Sequence, residues 1–225
     1  MKTIRALSGL LIFCVAPLLL NASPITTNLL TNPGAETGSL SGWTAQGPGT
    51  PTVDNGSFDA GINPHTGTYD FTGRTGSSDS LSQTVSLLGA GLTTSQINSG
   101  NLSADISFWE QGLSQGTPSD DAYVTVSFLD GSMAVISSSS TPEVDSHNGT
   151  WQNYSNSYVI PVGTQYVTYS MDFVRHSGSD LDAFIDDNSL VIDQASPTST
   201  PEPSSFALLG AGLLGLVGTL RRKLS

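Results

Sequence analysis

The chain has 225 residues, a formal net charge of −12 and only 12% charged residues. Residues 24–196 hold two arginines, no lysine and 18 acids, a net −16. Charge of that sign excludes binding to nucleic-acid backbones and charge-driven docking on anionic lipid. The same stretch is long enough for one sizeable core, so one domain is expected.

The chain opens with Lys2 and Arg5, followed by an apolar run from Ala6 to Leu20. A short positive region, an apolar stretch and a small residue at Ala22 predict a secretory signal peptide over 1–22, with an uncleaved anchor as the alternative. Cys14 lies inside it and is the only cysteine. The mature chain then has no thiol chemistry and no disulfides, and its stability must come from packing or a metal.

Residues 24–195 are predicted to be a single all-β domain. Leu102, Ala104, Ile106 and Phe108 alternate with Ser103, Asp105, Ser107 and Trp109. Val124, Val126 and Phe128 alternate with Thr125 and Ser127. Val167, Tyr169, Met171 and Phe173 alternate with Thr168, Ser170 and Asp172. Period-two stripes of this kind belong to sheets with one buried face and one wet face. Asp130-Gly131 predicts a two-residue type I′ hairpin between Val124–Leu129 and Ser132–Ser137. A short helical turn is admitted within Leu87–Ile97 only, where Gly89 and Gly91 weaken it. Several short antiparallel strands argue for a sandwich or jelly roll.

The C-terminal end is tripartite. Residues 196–203 form a polar linker that ends in Pro201-Glu202-Pro203. Residues 204–220 are small and apolar, and Arg221-Arg222-Lys223 lie in the basic tail 221–225. As a helix the apolar run would span about 25 Å, enough for a short transmembrane segment with snorkelling cations. The basic cluster predicts a cytoplasmic C-terminus and an external domain. Together Pro201, Glu202, Pro203, the apolar run and Arg221, Arg222 and Lys223 resemble the PEP-CTERM sorting signal of Gram-negative bacteria. That resemblance implies export, transient anchoring in the inner membrane, processing by an exosortase, and release to the cell surface or extracellular matrix. An ordinary single-span anchor is the alternative.

A second resemblance spans nearly the whole domain. Asn28 to Gly38 followed by Leu40-Ser41-Gly42-Trp43 is similar to the opening strand and turn of galactose-binding-like jelly rolls found among carbohydrate-binding modules. His65 to Tyr69, Leu81 to Val85, Leu102 to Trp109 and Trp151 to Tyr154 match later strands in order, and Ala183 to Leu190 matches the closing strand with its paired aspartates. The resemblance implies a structural Ca²⁺ where the opening and closing segments meet. Its ligands would be Glu36, one of Asp186 and Asp187, and carbonyls of Asn32 and of Gly67 or Thr68. Hard oxygen donors of this kind suit Ca²⁺. Adjacent strand residues point to opposite faces, so one aspartate alone is expected to reach the ion. Edge carboxylates without a metal are the alternative.

The resemblance also implies sugar binding by stacking on aromatic rings, with Trp109 as the first candidate and Tyr123 and Tyr158 behind it; the ligand would be an extracellular polysaccharide such as the cell's own exopolysaccharide. Trp43 and Trp151 are expected to pack in the core. His65, His147 and His176 are dispersed and are expected to be surface loop residues, with no transition-metal site. Asp120, Asp121, Asp145, Asp180 and Asp182 are expected to be solvated loop charge, and Glu110 a rim residue. No catalytic signature is present. The expected function is therefore carbohydrate binding outside the cell, with a ligand-free structural or adhesive role as the alternative and a hydrolase a distant third.

Overall fold

The structure is a computed structural model that describes residues 24–143 and 150–194. The signal segment 1–22, the linker, the apolar run and the basic tail lie outside these residues. Among the described residues ten strands form: β1 (Thr44–Gln46), β2 (Thr52–Asp54), β3 (Asp70–Arg74), β4 (Ser78–Ser86), β5 (Leu102–Gly112), β6 (Asp121–Leu129), β7 (Val135–Ser140), β8 (Gln152–Val159), β9 (Tyr166–Val174) and β10 (Leu181–Gln194). One helical turn, α1 (Thr94–Ile97), separates β4 from β5. It starts on a capping box in which Thr93 and Gln96 satisfy each other's backbone N–H groups. No helix among the described residues is long and apolar enough to cross a membrane.

The strands make two antiparallel sheets of five, in the orders β1-β4-β9-β6-β7 and β2-β3-β10-β5-β8. The alternation in the sequence explains why they face each other. Ile106 and Phe108 from β5, Val124, Val126 and Phe128 from β6, and Tyr169 and Met171 from β9 are all buried between the sheets. Each such side chain contributes roughly 1.5–3 kcal/mol of burial. Trp43 is also in this core, edge-on to Phe71 and Tyr169 with ring centroids 5.2 and 6.1 Å away, as expected. Its indole N–H is satisfied by the Asn32 carbonyl at 3.1 Å.

The β6–β7 turn differs from the expected two-residue hairpin. Leu129 pairs with Val135, so the loop runs from Asp130 to Ala134. Asp130 Oδ1 accepts from the backbone of Ser132 and Ala134, at 2.8 and 3.0 Å, and from the Ser132 hydroxyl at 2.7 Å. Met133, not Gly131, takes the left-handed conformation, at φ 67°. An aspartate that organises the next four residues favours this wider turn over type I′.

The N-terminal segment runs along the closing strand. Ile25 N–H donates to the Ile192 carbonyl and Leu29 N–H to the Leu190 carbonyl, each at 2.8 Å. Asn28 bridges the same strand with both ends of its amide. This brings the opening turn against the middle of β10.

Candidate functional site

The opening turn, the segment before β3 and the middle of β10 converge. Pro33 carbonyl accepts from Asn188 backbone N–H at 3.1 Å and from Asn188 Nδ2 at 2.8 Å. Asn188 Oδ1 in turn accepts from the buried Tyr169 hydroxyl at 2.9 Å. Asn32 adopts φ 51° and closes the turn through Thr37 N–H and the Ser39 carbonyl. Glu36 reaches across, and its carboxylate accepts from Thr68 and Tyr69 backbone N–H at 3.0–3.1 Å. Gly67 makes this approach feasible. Its φ is 66°, and a β-carbon there would lie 2.3 Å from the Glu36 carboxyl carbon.

The paired aspartates depart from the expected geometry. The β10–β5 register shifts between Asp186 and Ser189, and Asp187 has φ 51°. This bulge cancels the alternation and turns both carboxylates to one side. Thr66 binds both: its N–H donates to Asp186 Oδ2 at 3.1 Å and its hydroxyl to Asp187 Oδ1 at 2.6 Å. A β-carbon on Gly34 would sit 3.3 Å from Asp186 Oδ1 and 3.5 Å from Asp187 Oδ1. The expectation that the two aspartates point to opposite faces is thus corrected.

Electrostatically the region has too much negative charge. Asp186 is fully buried, and burial first, then the Asp187 charge, pushes its carboxyl up to about 7 against three stabilising backbone N–H groups. Asp70, which sequence reasoning missed, faces Asp54 across the β2–β3 pair. Both of its carboxylate oxygens are buried without a hydrogen-bond partner. Burial, then the charges of Asp54 and Asp186, pushes it up to about 8. Buried carboxylates of this kind are costly unless protonated or matched by a cation. The donor set, all hard oxygen, fits Ca²⁺. The signal in the sequence was Asp70 itself, an acid inside the apolar context of Tyr69 and Phe71.

The aromatic candidates fall on three different surfaces. Trp109 pairs laterally with Asp186 on the outer face of the second sheet. His65 stacks on it, with centroids 3.9 Å apart and planes 18° apart, and its Nδ1–H donates to Asp187 Oδ2 at 2.7 Å. One ring face of Trp109 is therefore taken, and His65 is a structural partner, not a free loop residue. Trp151 also packs here, edge-on to His65, with its indole N–H on the Asn63 carbonyl at 2.9 Å; it lies outside the core, contrary to expectation. Tyr158 pairs with Ala104 and packs against the core. Tyr123 lies on the outer face of the first sheet.

That outer face is built of hydroxyls. Thr44, Ser82, Ser170, Thr125 and Ser140 align across all five strands. Thr84, Thr168, Ser127 and Ser138 form the next row. Gln46, Ser80, Asp172 and Tyr123 form a third on the other side. Neighbouring hydroxyls bond at 2.7 Å (Thr84–Thr168) and 2.9 Å (Thr125–Ser140 and Ser127–Ser138). All of these residues are exposed or half-buried.

Two further expectations are corrected. Glu110 is buried in phase with Phe108, not on a rim. Asp120, Asp121 and Asp182 are buried, not solvated. His176 is an exposed loop residue, as expected, and meets Glu143 and Asp121. Asp145 and His147 lie outside the described residues.

Comparison with known proteins agrees with this architecture. Residues 199–223 match the PEP-CTERM protein-sorting motif. The chain is therefore an exported protein, anchored in the membrane in transit. A search of curated proteins returns no significant match. Among solved structures, the β-sandwich is similar to TmCBM61 in complex with β-1,4-galactotriose, at 25% identity and TM-score 0.52, covering 72% of this chain and 97% of that one. It is also similar to the enzymatically active domain of bacteriophage CBA120 tailspike protein 4, at 16% identity and TM-score 0.52, covering 75% of this chain but 21% of that one. A CBM22-1 xylan-binding domain from Paenibacillus barcinonensis Xyn10C matches at 18% identity and TM-score 0.49, covering 77% and 98%. The jelly-roll β-sandwich is the fold expected from the sequence.

Proposed function

We propose that this exported protein binds carbohydrate, without catalysis, through the hydroxyl-rich outer face of the β1-β4-β9-β6-β7 sheet. The observation that carries this reading is the likeness to a galactotriose complex at 25% identity over 97% of that module. The surface chemistry supports it. Rows of hydroxyls with Asp172 offer many donors and acceptors to a neutral polyol, and Tyr123 supplies a ring beside them. Trp109 is a weaker platform because His65 covers it. The opening turn, the 65–70 segment and the Asp186–Asp187 bulge would hold a structural Ca²⁺. Glu36, Asp186 and Asp187 are the carboxylate candidates there, with Asn32, Gly67 and Thr68 carbonyls. After transit, processing by an exosortase-type enzyme would leave the domain at the cell surface or in the matrix, where polysaccharide is its ligand.

The test is binding of the full-length protein to immobilised β-1,4-galactan and a panel of bacterial exopolysaccharides. Tyr123→Ala is expected to weaken binding by roughly tenfold or more, the scale of one lost ring contact, while Trp109→Ala retains it. Retained binding in Tyr123→Ala would reject this face. Failure of every glycan would reject carbohydrate binding. A structural matrix role would then be favoured by edge strand β7, which exposes Val135 and Ile136.

A further inference from the structure

At the opposite end of β6 from its turn, three groups from distant parts of the sequence meet: Asp121 opens β6, Glu143 follows β7, and His176 follows β9. One ligand atom from each lies within 4.8 Å of the others. His176 Nε2 contacts Glu143 Oε1 and lies 3.7 Å from Asp121 Oδ2. In a tetrahedral site with bonds of about 2.1 Å, ligand atoms stand about 3.4 Å apart, so little movement would close this one around an ion. The backbone that carries the imidazole is held from behind. Buried Asp120 accepts from His176 and Ser177 backbone N–H at 2.7 and 2.8 Å through Oδ1, and from Asp182 N–H at 2.9 Å through Oδ2. Even with His176 protonated the trio is net negative. Arg175, the nearest cation in sequence, is turned away and donates to the Ser179 carbonyl at 2.6 Å.

We infer that Asp121, Glu143 and His176 form a binding site for a divalent first-row transition ion of the Zn²⁺ class. An imidazole with two carboxylates suits Zn²⁺ or Mn²⁺, whereas Ca²⁺ and Mg²⁺ prefer all-oxygen sets. Three protein ligands leave at least one coordination position for water or a ligand oxygen. The site is separate from the opening-turn region and does not depend on the carbohydrate reading.

The test is calorimetric titration of the metal-stripped full-length protein with Zn²⁺ in excess Ca²⁺, which fills all-oxygen sites beforehand. The expected result is one Zn²⁺ bound per chain. His176→Gln and Glu143→Gln are each expected to weaken it at least about tenfold. Glu143 is exposed, so that variant tests the site without disturbing the core. Co²⁺ substitution should give visible d–d bands in the parent that are lost in His176→Gln. No Zn²⁺ uptake, or uptake unchanged in both variants, would overturn the inference and leave an ordinary ion pair.

Discussion

Asp182 illustrates how a single side chain sets the response to pH. It is buried, and burial first, then the charges of Asp59 and Asp120, pushes its carboxyl up to about 7. Asp59 is raised as well, chiefly by burial. A carboxyl raised in the folded state stabilises most when both states are protonated, below the ordinary value of 3.8, and that contribution is lost as pH rises to about 7. Asp182→Asn keeps a donor for Asp59 and an acceptor for Gln115, which donates to Asp182 Oδ2 at 2.9 Å. The variant should therefore melt higher than the parent at pH 7–8, with the difference shrinking towards pH 4. Thermal melts across that range check it; an equal or growing gap at low pH would contradict the assignment.

At the level of elements, the opening turn, the segment before β3 and the β10 bulge behave as one junction. Glu36 clamps the backbone of Thr68 and Tyr69, and Thr66 clamps both aspartates. Adding Ca²⁺ to chelated protein should raise the melting temperature, and Glu36→Ala should remove most of that gain. A melting curve indifferent to EDTA would reject the ion. Much of this junction was legible in the sequence: the stripes on β5, β6 and β9 gave the sheets, and the Asn-Pro-Gly and Asp-Asp segments gave the meeting point. The bulge was not legible, because a left-handed aspartate leaves no periodic mark and strict alternation then assigns the wrong face. His65 over Trp109, and His176 beside Asp121 and Glu143, were also hidden. Both depend on contacts between loops and strands far apart in sequence, which no local pattern encodes. The Asp130 loop was misread because Asp-Gly chemistry fits two turn lengths, and the side chain's bonds to Ser132 and Ala134 decide between them.

For the whole molecule, a net −16 over residues 24–196 means that the folded domain repels itself. In EDTA its melting temperature should rise between 10 mM and 500 mM NaCl as the Debye length shrinks from about 30 Å to a few ångströms; a flat response would mean the charges are already compensated. The closing strand has a further, mechanical consequence. β10 lies inside its sheet between β3 and β5, and the sorting motif begins at residue 199, just beyond its last residue, Gln194. Pull from a membrane tether would therefore enter along the axis of an interior strand. The β10–β5 hydrogen bonds lie across that axis at ten paired positions, and the N-terminal segment adds the Ile25–Ile192 and Leu29–Leu190 bonds. Such a strand is loaded in shear, with its bonds sharing the force, instead of being peeled away one bond at a time. While anchored, the domain is thus attached through an interior strand of the sheet that does not carry the hydroxyl rows.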